Sequence, residues 1–242
     1  MKKSLLVLAV LLLLYIGYEY STLPDVSYLR KENPLETNLM RQREEEARVG
    51  GRKLRRLQTW VPLSLVPDYL ITAILIGEDD AFYQHEGFDL NQIKETFIRN
   101  WEKKGFVRGG STITQQLAKN LYLSTSKTPL RKIKEFFIAR RLEEALTKRR
   151  ILEIYLNVIE WGEGIYGVEA ASHFYFNKTT TELTVKESVL LAAVIPNPRR
   201  MNPKQPTKRV QLRFNLILDR MIQYGHINEE HYKEAKIPPS SE

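Results

Sequence analysis

The sequence PDYLITAILIGEDDAFYQHEGFD, residues 67–89, begins with the pattern of an amphipathic helix and ends in an acidic cluster. Pro67 suits the first turn of a helix, because its ring fixes φ near the helical value. Ile71 and Ile74 precede Glu78 by seven and four residues, so a helix places all three side chains on one face. A carboxylate on that apolar face is partly desolvated and can act as a proton acceptor. Taken alone, an ordinary acidic helix end explains Glu78 more simply.

The chain downstream of this helix contains further helical patterns, and no alternation of polar and apolar residues predicts a strand. Thr112 and Gln115 form a capping box that opens a helix. Pro129 marks the first turn of the next helix, and Gly225 ends a later one. These patterns predict a mainly α domain. The remaining helices are predicted at 150–158, 168–176, 184–194 and 208–224 and near 228–236.

The N-terminal residues predict export. Lys2 and Lys3 precede an uncharged apolar stretch at 4–18. About 15 residues at about 1.5 Å each span only about 22 Å, which is short for a bilayer and leaves a cleaved signal peptide open. No small-residue cleavage site follows, which favours an uncleaved anchor with a cytoplasmic N-terminus. The expected organisation is a transmembrane anchor at 1–20, a solvated juxtamembrane linker at 21–58, one domain at 59–236 and a tail at 237–242.

The composition limits the chemistry that the chain can perform. A formal charge of +8 over 242 residues calls for a polyanionic partner such as nucleic acid, anionic lipid or a phosphorylated substrate. The absence of cysteine excludes disulfides, thiolate nucleophiles and cysteine-ligated zinc. The four histidines show none of the spacings of a metal motif, so a histidine-based metal centre is not expected.

Two further segments carry side chains suited to an anionic sugar substrate. Glu135 ends the run RKIKE, in which three cations could bind a diphosphate while they keep the carboxylate ionised. The run GGSTITQQLAKN, residues 109–120, combines a glycine turn with a helix N-terminus, which is a common anion site. Each segment also has a plainer interpretation, namely a solvated charge run for the first and a well-capped surface helix for the second.

Five sequence blocks follow one another along the chain. They are ED..F..H.GFD from Glu78, GGSTITQQLAKNLYL from Gly109, RKIKEFFIARRLE from Arg131, ILEIYLNVIEWGEGIYGVEAAS from Ile151 and ESVLLAAVIPNPRRMNP from Glu187. The series extends over residues 71–203 and is similar to the motifs of the family 51 peptidoglycan glycosyltransferases. Because no transpeptidase motifs accompany it, the chain resembles the monofunctional members of the family rather than the bifunctional penicillin-binding proteins.

The resemblance implies roles for individual residues. Glu78 corresponds to the general base, and Glu135 is the second catalytic carboxylate. Related enzymes often carry arginine at the position of Lys127, and lysine there lacks the bidentate geometry of arginine. The other motif positions would bind substrate or shape the cleft. They are Asp79, Phe82, His85, Gly87, Ser111, Gln115, Gln116, Lys119, Asn120, Lys127, Arg131 and Lys134.

The resemblance also implies a fold and a reaction. The fold would be a mainly α, lysozyme-like glycosyltransferase domain with a small membrane-facing lobe, for which the aromatic and basic run 97–108 is suited. The reaction would be inverting transfer of a lipid-linked growing glycan onto the GlcNAc 4-hydroxyl of lipid II. It would form β-1,4 linkages and release undecaprenyl diphosphate. No firm cofactor is expected, and assistance by Mg²⁺ or Mn²⁺ stays open.

The implied partners are lipid II, the undecaprenyl-diphosphate-linked glycan, the bilayer and other cell-wall synthesis proteins, without nucleic acid. The implied location is the inner (cytoplasmic) membrane, as a single-pass protein with its catalytic domain on the periplasmic side. Two rival functions remain. A lytic transglycosylase or muramidase would need one protonated carboxylic acid and no diphosphate site. A non-enzymatic basic module would bind membrane or nucleic acid through its charge alone.

Overall fold

The computed structural model describes residues 2–89, 110–126 and 128–236. These ranges are mainly helical, as the sequence predicts, and the predicted helices are found with their ends shifted by no more than a few residues. The α-helices are α1 Lys2–Ser21, α2 Asn38–Val49, α3 Asp68–Glu78, α4 Ile113–Tyr122, α5 Pro129–Ala145, α6 Lys148–Val158, α7 Val168–Phe176, α8 Val185–Val194, α9 Lys208–Gln223 and α10 Glu229–Lys236.

Threonine side chains cap the N-termini of several helices. In each case the hydroxyl oxygen accepts a hydrogen bond from a backbone N–H of the first turn, which would otherwise lack a partner. The capping box predicted for Thr112 and Gln115 is present in full at the start of α4. These caps explain why the helices begin where they do. The capping residues are Thr37, Thr112, Thr128, Thr147 and Thr184.

The helices pack in two groups around one apolar core. In the first group, α3 packs against α8 and α9. In the second, α4 packs against α2, α5 and α6. The apolar face of α4 packs into the core, where Ile113 and Leu117 are fully buried. Its polar face lines a cavity. The C-terminal end of α3 and the polar face of α4 therefore meet at the boundary between the groups.

A small sheet lies beside the helices, although the sequence predicts no strand. Its strands are β1 Leu57–Gln58, β2 Glu160–Gly162 and β3 Ile165–Tyr166, in the order β1-β3-β2. The strand β1 pairs with β3 in parallel, and β2 pairs with β3 in antiparallel orientation. Strands of two or three residues are too short to show an alternating pattern, which explains why the sequence gives no sign of them.

The segment 21–58 packs against the domain and differs from the solvated spacer expected from its composition. Arg141 Nη1 donates to the carbonyl of Leu23 at 2.9 Å, and Arg150 Nε donates to the carbonyl of Leu29 at 2.8 Å. The Leu29 side chain is fully buried. Irregular backbone leaves carbonyl groups without partners, and these arginines satisfy them. The charged residues around this segment therefore include structural contacts as well as solvated ones.

In the described ranges, no helix combines the length and the apolar character needed to cross a membrane. The transmembrane anchor predicted at 1–20 is therefore not confirmed. Other predictions lie outside the described residues and stay predictions: the membrane-facing lobe at 97–108, the site residue Lys127 and the tail at 237–242.

Candidate active site

Glu78, the last residue of α3, is held by side chains from two other helices. Gln116 Nε2 of α4 donates to Glu78 Oε2 at 2.9 Å, and Arg213 Nη2 of α9 donates to Glu78 Oε1 at 2.9 Å. The Glu78 side chain is 10% exposed. Tyr155 is fully buried and donates to Gln116 Oε1 at 3.1 Å, which fixes the orientation of the Gln116 amide. These contacts present a carboxylate in one orientation at the boundary of the two helix groups.

Sequence reasoning missed Arg213. It lies 135 residues after Glu78 and beyond the sequence blocks that resemble the family, and nothing in the local pattern pairs the two. The only sign was an arginine placed next to Phe214 and three residues after Val210, which are both buried on the inner face of α9. An opposite charge at this distance favours the ionised form of the Glu78 carboxylate. Arg213 therefore suits a base more than an acid.

Asp79 and His85 connect the end of α3 to the beginning of α4. Asp79 is fully buried, and its Oδ2 accepts from the backbone N–H of Ile113 at 2.9 Å. Asp79 Oδ1 lies 2.9 Å from His85 Nε2, and the backbone N–H of Gly87 donates to His85 Nδ1 at 3.1 Å. Because a backbone N–H can only donate, Nδ1 is the acceptor of the ring and Nε2 carries the hydrogen that faces Asp79. Asp79 and His85 thus position the neighbouring elements.

Gly87 and Phe82 also shape the connection between the end of α3 and the beginning of α4. Gly87 has φ +85°, and a Cβ added there would lie 3.1 Å from Cγ of Glu143. The Phe82 ring is fully buried beneath the Lys148 ammonium, which lies 4.5 Å from the ring centroid. The side chain of Thr112 donates to the Gly87 carbonyl at 2.8 Å. These residues shape the first motif rather than line the cavity.

A cavity of about 300 Å³ lies along the polar face of α4. Gln116, Lys119 and Asn120 line it from α4, and Arg131 lines it from α5. Gln116 also contacts Glu78, so the cavity adjoins the candidate base. Gln115, in contrast, accepts from the Thr112 backbone N–H as part of the capping box and does not line this cavity.

Lys119 is a partly buried cation of the cavity, and its surroundings change its pKa. Burial lowers the pKa of its ammonium below the ordinary value, while the charges of Glu135 and Glu78 act in the opposite direction. Both carboxylates therefore act electrostatically on Lys119. Within residues 2–89, 110–126 and 128–236, no hydrogen bond or ion pair to its ammonium is found. A partly desolvated cation of this kind favours a bound anion.

Glu135 lies on α5 and is occupied by two cations. Its Oε2 accepts from Arg131 Nη1 and its Oε1 accepts from Lys132 Nζ, and the residue is 2% exposed. Lys132 Nζ also donates to Ser111 Oγ at 2.8 Å. With both oxygens engaged, Glu135 is placed to orient cations rather than to exchange a proton.

The resemblance implies that Lys134, rather than Lys132, binds substrate beside Glu135. The structure places Lys134 elsewhere, 2.7 Å from Glu19 of α1. Helical spacing separates the two lysines, because positions three and four before or after Glu135 share its face and the adjacent position does not. That rule selects Arg131 and Lys132 as the partners of Glu135, and it could have been applied to the sequence alone.

The described residues offer no ready-made metal site. No group of three or more His, Cys, Asp or Glu side chains comes together within the described ranges. The charged and amide side chains that line the cavity are cations and amides apart from the one carboxylate of Glu160, and a single carboxylate does not fit a resident Mg²⁺ or Mn²⁺.

Comparison with known proteins shows which family the chain resembles. A family model described as Transglycosylase matches residues 45–222. The biosynthetic peptidoglycan transglycosylase of Nitrosospira multiformis is 39% identical over 84% of this chain and 89% of its own length. The protein of the same description from Chromobacterium violaceum is 40% identical over 89% of this chain and 94% of its own length.

The chain also matches part of two longer proteins. Penicillin-binding protein 1A of Aquifex aeolicus is 37% identical over 99% of this chain, which covers 34% of that protein. The crystal structure of penicillin-binding protein 1A from Haemophilus influenzae is 26% identical, with a TM-score of 0.45, over 77% of this chain and 18% of that one.

An oriented carboxylate beside a cation-lined cavity, on a mainly helical domain, defines with these matches a glycosyltransferase of the cell envelope. The chain belongs to the transglycosylase family, because the family model matches most of its length and the curated relatives match nearly all of theirs. It is an enzyme, a peptidoglycan glycosyltransferase, as those relatives are.

Proposed function

We propose that this transglycosylase extends peptidoglycan glycan strands by inverting transfer onto lipid II. Glu78 takes the proton of the GlcNAc 4-hydroxyl as the oxygen attacks C1 of the lipid-linked MurNAc at the reducing end of the growing chain. The new bond is a β-1,4 linkage between C1 and that oxygen. The bond from C1 to the diphosphate breaks, and undecaprenyl diphosphate leaves with the electron pair. The polymer that remains is one disaccharide longer.

The observation that carries the proposal is Lys119. Its half-buried ammonium has no described anionic partner, lies under the electrostatic influence of Glu78 and Glu135, and lines the same cavity as Arg131. A departing diphosphate supplies the anion that such a site favours, and charge stabilisation of a leaving group contributes most in a partly desolvated site. Glu135 supports this by holding Arg131 and Lys132 in place.

The ion pair of Glu78 supports synthesis rather than cleavage. A lytic enzyme needs a protonated carboxylic acid next to the scissile bond. The Arg213 guanidinium, 2.9 Å from Glu78, favours the ionised carboxylate instead. An ionised carboxylate can accept the proton of an attacking hydroxyl, which is what glycan extension requires.

We propose further that α1 holds the enzyme in the cytoplasmic membrane as a single-pass anchor, with the catalytic domain outside. The support is the apolar run at 4–18 that follows two lysines. Lipid-linked substrates also require the active site to lie close to a bilayer. Extraction of cell membranes with alkaline carbonate should leave the full chain in the pellet and release a variant that lacks residues 1–21. Release of the full chain as well would contradict the anchor.

The reaction is tested with the purified full chain and two substrates. Lipid II should be converted to polymer that muramidase digests, whereas isolated sacculi should release no soluble fragments. Solubilisation of sacculi without polymer from lipid II would establish the lytic function instead. Tight, salt-sensitive binding of DNA with neither activity would favour the basic binding module.

A further inference from the structure

Part of the cavity lining comes from α2, a helix within the segment 21–58 that the sequence predicts to be a solvated linker. Leu39 and Arg43 of α2 line the cavity together with the residues of α4. Gln42 Oε1 accepts from the backbone N–H of Thr125 at 3.0 Å, which fastens α2 beside the end of α4. Arg43 precedes residue 45, where the family match begins. This part of the lining is therefore a part of the site that the family match does not assign.

The charges around Arg43 and Glu160, here called the Arg43 end of the cavity, are balanced, in contrast to those around Lys119. Arg43 Nη2 lies 3.1 Å from Glu160 Oε2, and Arg43 Nη1 lies 3.0 Å from Glu46 Oε2. Arg199 Nη1 lies 3.2 Å from the same Glu46 oxygen. Each guanidinium already has a carboxylate partner, so this end has little attraction for a second anion. A neutral ligand suits it better.

Glu160 retains capacity for a hydrogen bond. Its Oε2 is bound by Arg43, but its Oε1 is buried with no hydrogen-bond partner in the described part of the chain. Buried carboxylate oxygens normally have a donor, and one without a donor is unfavourable. Burial also raises the pKa of Glu160, in spite of the Arg43 charge. A ligand that brings a hydroxyl or amide N–H would relieve this situation.

The remaining wall combines aliphatic surface with one amide. A pyranose ring presents C–H groups on its faces and hydroxyl or acetamido groups at its edge, so it matches a wall of this composition. The wall residues are Ile159, Ile195, Pro196, Asn197 and Pro198.

We propose that this end of the cavity is a subsite for an uncharged, N-acetylated sugar unit of the glycan, positioned by Glu160 and Arg43. The inference rests on the proposed function, since the Lys119 end is taken to hold the diphosphate and this end the sugar further from it. Glu160 Oε1 accepts a hydrogen bond from a hydroxyl or acetamido N–H of that unit. Arg43 fixes the Glu160 side chain and ties α2 to the sugar. Glu160 thus contacts the sugar, Arg43 is a positioning residue that acts through Glu160, and neither takes part in proton transfer.

Binding of two simple probes to the full chain tests the assignment. The β-1,4-linked tetrasaccharide of N-acetylglucosamine represents the glycan, and inorganic diphosphate represents the leaving group; titration calorimetry measures both. Glu160→Gln should weaken tetrasaccharide binding about tenfold and leave diphosphate binding unchanged. Lys119→Met should do the reverse. Glu45→Gln is the matched control, because Glu45 lies on α2 but is exposed and, among the residues that the structure describes, is paired only with Arg48.

A second variant and a kinetic measurement separate positioning from folding. Arg43→Lys keeps the charge but loses the planar fork that reaches Glu46 and Glu160 together. It should raise KM for lipid II severalfold, as should Glu160→Gln, with kcat within about twofold and the melting temperature little changed. A structural role alone would lower the melting temperature and kcat together.

Two results would overturn the subsite. One is tetrasaccharide binding that is equal in the wild type, Glu160→Gln and Arg43→Lys. The other is no tetrasaccharide binding to the wild type at all. In either case, polymerisation of lipid II by the wild type would leave the proposed function standing, so that the two failures can be told apart.

Discussion

At the scale of single residues, the ion pair of Arg213 with Glu78 connects the candidate base to α9. Arg213→Met should remove the charge that favours the ionised form of Glu78. It should also remove one of the contacts that orient the Glu78 side chain. We expect kcat to fall by at least tenfold, with KM for lipid II changed less than twofold. The control is Arg209→Met, an exposed position one turn earlier on the same helix. Equal kcat in Arg213→Met and Arg209→Met would show that the pair does not serve the reaction.

The lowered pKa of Lys119 predicts how diphosphate binding depends on pH. Burial lowers the pKa of its ammonium, so the cation loses its proton at a lower pH than an ordinary lysine does. Diphosphate binding should therefore be complete below that pKa and weaken as pH rises through it. The fold should not weaken over the same window, because the charged form of a lysine with a lowered pKa is the less favourable form in the folded state. Calorimetric titration with diphosphate at a series of alkaline pH values measures the loss.

Lys119→Arg provides the comparison for that profile. Arginine stays charged throughout the accessible range, so its diphosphate binding should decline less on the alkaline side. Superimposable pH profiles for the wild type and Lys119→Arg would show that Lys119 does not hold the diphosphate.

At the scale of elements, the junction between α3 and α4 depends on the backbone of Gly87. An alanine there must adopt φ +85° and place its Cβ 3.1 Å from Glu143 Cγ. We expect Gly87→Ala to lower the free energy of unfolding by about 1–2 kcal/mol from the backbone alone, with a further loss from the contact. Chemical denaturation measures both.

Gly225→Ala separates the two contributions. Gly225 also has a positive φ, +75°, but a Cβ there meets nothing within 4 Å. Gly225→Ala should therefore lose less free energy of unfolding than Gly87→Ala, and its activity should equal that of the wild type. Gly87→Ala should in addition slow polymerisation, because a strained backbone at residue 87 displaces the N–H that orients His85. Equal destabilisation in the two variants would argue against the contact with Glu143.

At the scale of the whole molecule, arginines fasten the segment before the domain. Arg150 donates to the carbonyl groups of Leu29 and Glu32 and lies over the Trp60 ring. Arg150→Met should free that backbone, so that amide hydrogen exchange in residues 29–33 becomes faster by tenfold or more. Arg149→Met, at the exposed neighbouring position, should leave exchange unchanged. Unchanged exchange in Arg150→Met would mean that other contacts hold the segment.

The features that the sequence predicted are those with local causes. The α3 helix, the capping box of α4 and the helix stop at Gly225 all follow from residues within a few positions of one another. At Glu135, helical spacing accounts for both ion pairs, because Arg131 and Lys132 lie four and three residues before it, whereas the adjacent Lys134 contacts Glu19.

The features that the sequence did not predict depend on tertiary packing. Arg213 reaches Glu78 from 135 residues away, and Arg43 reaches Glu160 across 117 residues. No local pattern distinguishes such arginines from the many solvated ones in a chain of charge +8. The folding of α2 onto α4 turned a charged linker into a wall of the cavity for the same reason.

The role of Glu78 is tested most directly by Glu78→Gln, assayed for polymerisation of lipid II beside Asp80→Asn. Glutamine keeps the size of the side chain but cannot accept the proton, and its single oxygen can accept from only one of Gln116 Nε2 and Arg213 Nη2. Asp80 is an acidic neighbour with a side chain 48% exposed. With melting temperatures near that of the wild type, Glu78→Gln should lose about 10²–10⁴-fold in kcat, while Asp80→Asn keeps its activity. Polymerisation by folded Glu78→Gln at close to the wild-type rate would contradict the assignment of Glu78 as the base.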